Sequence, residues 1–265
     1  MTSDILDSRT SWIRLGLTLA IAIVANAGMW AFIVIMPAIE AEFGTPRAET
    51  SFPYTLMMIG FALGNFVIGR WVDQFGVVRT LMGCAAGIIV GYWMATISPT
   101  IFMVSLAQFV IGFCTAVGFG PLVADISHWF MKRRGIAVGI AASGNYLSGA
   151  IWPIVLADVL AEDGWRAVYL ILGILTLVVV MPLALTLRRQ VPEDARAVAE
   201  TTASANRQSA GLPSPMLALL LGIAGIGCCM AMSMPQVHIV AYCVDLLYGT
   251  AVGSEIMSLM LLGCV

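Results

Sequence analysis

Long uncharged stretches separate the charged residues of this chain, and each stretch has about the length of a helix that crosses a membrane. Such a helix needs about 20 apolar residues. The uncharged stretches are residues 15–39, 50–69, 80–124, 135–157, 167–187 and 208–244. The third stretch is long enough for two helices, and Ser98-Pro99 supplies a break between them. Another apolar run begins near Ala251. The sequence therefore predicts seven membrane spans and the beginning of an eighth, numbered span 1 to span 8 in chain order.

The composition excludes most other classes of protein. Hydrophobic residues make up 60% of the chain and charged residues 11%, with a mean hydropathy of +0.95; soluble chains carry about 25% charged residues. A net charge of −2 without a basic stripe argues against a nucleic-acid partner. The motifs HExxH, GxSxG and CxxC are absent from the sequence. We therefore expect an all-α polytopic protein in a lipid bilayer, with no enzymatic activity, cofactor or metal.

Lysine and arginine predict the orientation, because basic residues collect on the cytoplasmic side. If the N-terminus is cytoplasmic, eleven basic residues lie inside and two, Arg47 and Arg166, lie outside. The inside set is Arg9, Arg14, Arg70, Arg79, Lys132, Arg133, Arg134, Arg188, Arg189, Arg196 and Arg207. We expect a multi-pass protein of a bacterial cytoplasmic (inner) membrane with its N-terminus in the cytoplasm.

Residues 188–212 form a polar linker in an Ala/Ser/Thr-rich background. Six helices, a linker and further helices are the layout of a two-lobed carrier. The predicted domains are a six-helix N-terminal lobe at 1–187, a cytoplasmic linker at 188–212, and the start of a C-terminal lobe at 213–265, which holds span 7 and part of span 8.

The loop between spans 2 and 3 carries glycine, aspartate, glycine and arginine at positions 69, 73, 76 and 79. Asp73 can cap backbone N–H groups or pair with Arg79, and Gly76 can adopt a positive φ. A plain turn with topogenic charges is the alternative. The spacing resembles motif A (GxxxDxxGxR) of the major facilitator superfamily, in which the loop latches two lobes at the cytoplasmic side. The resemblance implies a cytoplasmic gate made of Gly69, Asp73, Gly76 and Arg79. Gln74 stands where that family usually has a basic residue, which predicts a weaker latch.

Further segments narrow the resemblance to one branch. Span 4 contains a segment that is similar to the superfamily's motif for that span, Gly112-Phe113-Cys114-Thr115-Ala116. In the superfamily's motif, an arginine stands four residues before the glycine. That place is taken by Gln108, which cannot titrate, so proton coupling through it is excluded. Together with residues 44–49, 129–137, 164–166 and 237–242, the chain resembles the monocarboxylate transporter-like branch, which includes oxalate/formate-type antiporters. The resemblance implies the major facilitator fold and secondary active transport of a small organic anion by alternating access, commonly as a symporter with a proton.

Polar side chains at membrane depth are costly and mark functional sites. In this superfamily, spans 1, 4, 7 and 10 line the cavity. The residues predicted to form the substrate cavity are Asn26, Trp30, Gln108, Thr115, Phe119, Asn145, Tyr146 and His238. For each of them the alternative is a hydrogen bond between helices or core packing.

Two titratable groups lie within or beside these spans. His238, in the outer half of span 7, belongs to the residue type that changes charge near neutral pH, which suits a proton or substrate role; a satisfied packing histidine is the alternative. Asp125, at the inner end of span 4, is expected to pair with the basic cluster at 132–134.

The sequence stops soon after span 8 begins. Val265 lies ten residues beyond Glu255, which is about 15 Å of helix, whereas the hydrocarbon core is about 30 Å thick. We therefore expect a carrier cut within span 8. We expect such a carrier to lack the branch's substrate-binding arginine, to be unable to transport alone, and to need a C-terminal lobe or a partner subunit. The rival functions are export of drugs or other amphipathic solutes, and a non-transporting accessory or sensor role.

Overall fold

The computed structural model describes residues 6–188 and 213–263. Its α-helices are α1 (Arg9–Ala25), α2 (Ala27–Phe43), α3 (Arg47–Thr50), α4 (Phe52–Phe75), α5 (Val77–Thr96), α6 (Ile101–Thr115), α7 (Gly120–Ser127), α8 (Arg134–Leu175), α9 (Met181–Thr186), α10 (Ser214–Asp245) and α11 (Gly249–Leu262). A 3-10 turn (Ala116–Gly118) joins α6 to α7, and a π-helical turn (Thr176–Val180) joins α8 to α9. Every regular element of the described chain is helical, which confirms the all-α fold.

Six helical segments of the described chain are long and apolar enough to cross a membrane. They are Arg9–Phe43, Arg47–Phe75, Val77–Thr96, Ile101–Ser127, Arg134–Thr186 and Pro215–Asp245. The fifth has 53 residues and contains both span 5 and span 6. The two spans are divided at Gly164, where the backbone has φ 81° and ψ 175°. A residue with a Cβ rarely adopts this conformation. Helix α11 begins span 8, and the predicted linker, apart from Arg188, lies outside the described residues.

Span 1 is broken near its middle, at Asn26, where the sequence predicts a continuous helix. Asn26 has φ −86° and ψ −2°, and its N–H donates to the Ala22 carbonyl oxygen at 3.1 Å. The N–H of Met29 then donates to the Asn26 carbonyl oxygen at 3.1 Å. In an unbroken helix this N–H would bond to Ala25, four residues back. The break therefore leaves the Ala25 carbonyl oxygen to a donor from outside span 1.

Spans 2 and 4 cross with their backbones in direct contact. A Cβ placed on Gly112 of α6 would overlap the backbone carbonyl oxygen of Met57 in α4, and one on Gly60 of α4 would overlap that of Phe109 in α6. Small residues allow membrane helices to approach in this way. The large side chains instead fill the core between spans 1, 3, 4, 5 and 6, where Phe32, Tyr92, Trp152 and Tyr169 belong to one buried cluster.

We expect Gly112→Ala to destabilise the protein by about 1–3 kcal/mol, because the added methyl group forces the two helices apart. Gly83→Ala is the matched control, since a Cβ at Gly83 meets no described heavy atom within 4 Å. The midpoint of thermal unfolding in detergent measures both variants. Equal midpoints for the two variants would contradict the close contact at Gly112.

Candidate functional site

The helix bundle has two ends, each named here by one arginine. The Arg14 end holds the beginning of α1, the α4–α5 turn and the beginning of α10. The Arg47 end holds the end of α2, the break at Gly164 and the α10–α11 turn. Helix α10 packs against α2 and α11, and its buried residues, Val237, Val240, Ala241 and Cys243, all lie near the Arg47 end. Most described side chains between Pro213 and Gln236 are exposed. Span 7 therefore meets the first six spans at the Arg47 end and stands apart from them towards the Arg14 end.

Spans 1, 5 and 8 pack against one another around Trp30. The Trp30 Nε1 donates to Asn145 Oδ1 at 3.4 Å, so that one hydrogen bond joins two predicted cavity residues. A Cβ on Gly149 would overlap the Trp30 ring on one side and the Leu261 side chain on the other. Trp30 is buried, while Asn145 and Tyr146 are half-buried and keep part of their surface open. The open parts of Asn145 and Tyr146 form an uncharged aromatic and amide surface beside the contact of spans 1, 5 and 8.

The predicted cavity residues Asn26 and Thr115 are fully buried within the first six spans. Thr115 Oγ1 donates to the carbonyl oxygen of Ala25 at 3.3 Å, which is the oxygen that the helix break leaves free. Asn26 Nδ2 donates to Ala22 at 2.7 Å. Within the described residues, the Asn26 Oδ1 has no hydrogen-bond partner. Both side chains thus serve the break in span 1, and their role in a cavity stays a prediction.

Span 5 satisfies a second carbonyl beside the same break. The oxygen of Ile23 accepts hydrogen bonds from Ser148 Oγ at 2.7 Å and from Trp152 Nε1 at 2.8 Å. The sequence prediction missed both donors. Their positions four residues apart in span 5 place them on one helix face, but nothing in the local sequence identifies the carbonyl that they contact.

Gln108, predicted for the cavity, is fully buried between spans 4 and 6. Its Nε2 donates to the hydroxyl oxygen of Tyr169, whose ring stacks on Tyr92 with centroids 5.8 Å apart. Within the described chain, Gln108 Oε1 has no hydrogen-bond partner. The observed contact is the hydrogen bond between helices that the sequence left as the alternative.

Phe119 and His238 are the remaining predicted cavity residues. Phe119 has φ −120° and ψ −86°, precedes α7 and is half-buried. His238 lies on α10, one residue after the buried Val237, and is exposed. The structure leaves both side chains open to a ligand, and their role stays a prediction.

The predicted gate motif forms the turn between α4 and α5. Gly76 has φ 82°, the positive φ that the sequence predicts, and ends α4. Asp73 and Arg79 are exposed, and no ion pair joins them in the described chain. Asp73 instead borders a cavity of about 380 Å³ at the Arg14 end, together with Asp125 and His128. The motif thus lines a polar recess beside the turn, and its role as a gate stays a prediction.

Asp125 has a different partner from the one that the sequence predicts. Its Oδ2 accepts hydrogen bonds from Arg14 Nη2 at 2.8 Å and Nε at 3.0 Å. Arg14 Nη1 donates to the carbonyl oxygen of Leu187 at 3.2 Å, and its guanidinium lies 4.5 Å from the centre of the Trp129 ring. The Arg14 side chain is 6% exposed and that of Asp125 15%. This buried pair therefore ties the ends of spans 1, 4 and 6 together, and the cluster at 132–134 does not supply the partner as predicted.

Asp7 anchors the start of the chain at the same end. Its carboxylate accepts hydrogen bonds from the backbone N–H groups of Met131, Lys132 and Arg133, at 3.1, 3.0 and 3.3 Å. Burial alone would raise the pKa of Asp7, but the three N–H donors and the nearby Lys132 charge hold it below its ordinary value. The carboxylate therefore occupies this backbone turn in its charged form.

Two ion-pair clusters lie at the Arg47 end. Arg47 Nη1 and Nη2 donate to the two carboxylate oxygens of Asp245 at 2.7 and 2.9 Å, and its Nε lies 3.5 Å from Glu40. Arg166 Nη1 lies 2.7 Å from Glu42, which also accepts a hydrogen bond from Trp165 Nε1 at 2.6 Å. The first cluster joins the α2–α4 connection to span 7, and the second joins spans 1 and 6.

Residues 18–265 match the family model of the Major Facilitator Superfamily. The chain belongs to that superfamily. This confirms the family predicted from the gate motif, and with it a multi-pass membrane protein of a transporter family. The narrower monocarboxylate branch stays a prediction.

Curated members of the superfamily resemble parts of the chain. The chain is 33% identical to the Fujikurins efflux protein of Gibberella fujikuroi over 171 residues. This match covers 61% of this chain and 34% of that protein. It is 31% identical over 154 residues to the MFS-type transporter dbaD of Emericella nidulans, covering 56% and 33%. It is 24% identical over 187 residues to the uncharacterized MFS-type transporter YhjX of Escherichia coli, covering 70% and 46%. The matches thus span a third to a half of the length of these relatives.

The charges of this superfamily member keep to the ends of its helices. Each basic residue of the described chain lies within six residues of a helix end or of the break at Gly164. No group of three or more His, Cys, Asp or Glu residues in the described chain could hold a metal ion. The surface around Trp30, Asn145 and Tyr146 is accordingly uncharged.

We expect Asp125→Ala to destabilise the protein by about 3 kcal/mol, because it leaves the Arg14 guanidinium buried without its counter-charge. Lys132→Ala is the control, since the cluster at 132–134 is the partner that the sequence predicts. Thermal unfolding in detergent measures the difference. A larger loss from Lys132→Ala than from Asp125→Ala would contradict the Arg14 pairing.

The Asp7 anchor should depend on pH in a defined direction. Because its pKa in the folded protein is lowered, the anchor stabilises fully above the ordinary aspartate pKa of about 4 and is lost as the pH falls through the lowered value. Hydrogen exchange of the N–H groups of residues 131–133 measures this, relative to Asp7→Asn at each pH. The assignment of Asp7 as the anchor would be contradicted if these N–H groups lost their protection from exchange above pH 5 in the parent protein while exchange in the Asp7→Asn variant stayed unchanged.

Proposed function

We propose that this chain supplies the first lobe, and the start of the second, of an alternating-access carrier that exports amphipathic organic solutes. The observation that carries the proposal is the closure of spans 1, 5, 7 and 8 at the Arg47 end, above the half-buried Asn145 and Tyr146. With the predicted orientation, the Arg14 end faces the cytoplasm. A solute would then reach the Trp30–Asn145 region from inside, and a change of lobe orientation would release it outside.

The chemistry of this region supports an amphipathic solute. Tyr146 offers a ring surface with a polar edge, and Asn145, held by the buried Trp30, offers an amide. This combination binds apolar molecules that carry a few hydrogen-bonding groups. A bare carboxylate needs a positive charge or several donors to offset its desolvation, and the basic residues of the described chain stay at the helix ends. The Fujikurins efflux protein, one of the relatives, is named for efflux.

Transport of a small monocarboxylate with a proton is the second candidate. It is favoured by the resemblance of span 4 and its neighbouring loops to that branch. His238 supports it as an exposed, protonatable side chain on span 7. The two candidates differ in the charge of the bound solute, and ligand binding therefore separates them.

We expect the purified chain in nanodiscs to bind an uncharged coumarin dye saturably, and Asn145→Ala to weaken that binding about five-fold through the loss of one hydrogen bond. Phe66→Ala is the control, because Phe66 is 75% exposed on span 2. Equilibrium dialysis gives the dissociation constants. Saturable binding of lactate, oxalate or formate without binding of the dye would replace the proposal by the second candidate. Binding of neither class would favour the accessory role.

A further inference from the structure

Three consecutive basic residues lie at the surface of the Arg14 end, where the turn after α7 leads into α8. Lys132 and Arg133 are exposed, and Arg134, the first residue of α8, is half-buried. Arg134 Nη2 donates a hydrogen bond to Ser127 Oγ at 3.3 Å. Within the described chain, none of the three forms an ion pair with a carboxylate. This basic surface therefore presents positive charge to an anion from outside the chain.

Asp7 shapes the backbone beneath the basic surface. Its carboxylate accepts hydrogen bonds from the N–H groups of Met131, Lys132 and Arg133, so that the backbone uses both of its oxygens. The Asp7 N–H in turn donates to the Trp129 carbonyl oxygen at 3.2 Å. The single charge of Asp7 leaves the surface with a net positive charge. Because the turn is already formed, the entropy lost when an anion binds to it is reduced.

Apolar side chains lie beside these charges in the sequence and at the surface. Met131, just before the basic residues, is 40% exposed, and Ile136, in the first turn of α8, is 61% exposed. Basic groups thus lie at the end of span 5, and an open apolar group lies within the span. A phospholipid has the same order of groups, with its charged headgroup at the membrane surface and its tails below it.

We propose that Lys132, Arg133 and Arg134 form a binding site for the headgroup of an anionic phospholipid. Phosphate oxygens accept charge-assisted hydrogen bonds from ammonium and guanidinium groups, and anionic lipids attract basic residues at the membrane surface. With the predicted orientation, the lipid belongs to the cytoplasmic leaflet. Asp7 is a positioning residue, which holds the turn and does not touch the lipid. The site goes beyond the proposed export, since the region around Trp30 and Asn145 takes no part in it.

A site of defined shape differs from a general attraction between opposite charges in the effect of Asp7. Because Asp7 is negative, its removal would strengthen a general attraction. In the proposed site, its removal releases three backbone N–H groups and loosens the turn that presents Lys132 and Arg133. Asp7→Ala should therefore weaken the binding of the lipid, although it makes the surface more positive.

Native mass spectrometry of the full chain, purified in detergent, measures the dissociation constant of the first bound lipid. The probes are phosphatidylglycerol and phosphatidylcholine with identical acyl chains, which differ in the headgroup. We expect phosphatidylglycerol to bind more tightly. The double variant Lys132→Gln, Arg133→Gln should bind it about 20-fold more weakly, or about five-fold for each side chain. Asp7→Ala should weaken its binding about three-fold through the lost hydrogen bonds.

Arg70→Gln combined with Arg79→Gln is the matched control. Both arginines are exposed near the α4–α5 turn, at the same end of the bundle. This double variant also removes two positive charges, and its affinity for phosphatidylglycerol should equal that of the parent. If the Lys132→Gln, Arg133→Gln protein fails to fold, the two single variants decide the question, each with a loss of about five-fold.

Equal affinities of the parent for the two lipids would overturn the site. An equal loss in the Arg70→Gln, Arg79→Gln protein, or tighter binding by Asp7→Ala, would replace it by a general attraction between charges. Displacement of the lipid by an equal concentration of inorganic phosphate would assign the surface to a soluble anion and overturn the proposal as well. No transported solute enters the measurement. A protein that binds the lipid as expected but binds no dye would refute the proposed export alone.

Discussion

A backbone inside a membrane has to satisfy its own polar groups, and the break in span 1 is where this chain meets that constraint with side chains. The turn at Asn26 removes carbonyl oxygens from the helical ladder. Thr115 of span 4 and Ser148 and Trp152 of span 5 replace the missing donors. Each of these hydrogen bonds fixes the rotation and depth of one span relative to span 1. The arrangement of the lobe around Trp30 and Asn145 follows from these fixed positions.

The ion pairs at the two ends of the bundle differ in how deeply they are buried. At the Arg14 end the ion pair is buried and is contacted by an aromatic ring and a backbone carbonyl, so that the ends of three spans are joined. At the Arg47 end the pairs are half-exposed and one of them crosses to span 7. A lobe that moves as a body needs firm links within itself and weaker links to its neighbour. The burial of the charges separates these two kinds of link.

The limits of the spans could be predicted because their causes are local in sequence, whereas the break within span 1 at Asn26 could not. Charges mark the limits of a span wherever they occur, and Gly76 and Gly164 mark turns since few other residues tolerate their φ values. The partners of Thr115, Gln108 and Asp125 could not be predicted. Each is set by the three-dimensional crossing of helices, and Tyr169, for instance, lies 61 residues from Gln108. A polar residue in a span thus shows that a partner is needed without showing which residue supplies it.

The separation of Arg14 from its partners has a consequence for biosynthesis. Asp125 follows it by 111 residues and Leu187 by 173. At roughly 5–20 residues per second, span 1 is made roughly 6–20 s before the carboxylate that neutralises its guanidinium. During that interval Asp125 has not been made, and the lipid headgroup region is the favourable place for the Arg14 charge. The buried pair can therefore form only once span 4 has been made, so the placement of Arg14 depends on a helix synthesised well after its own.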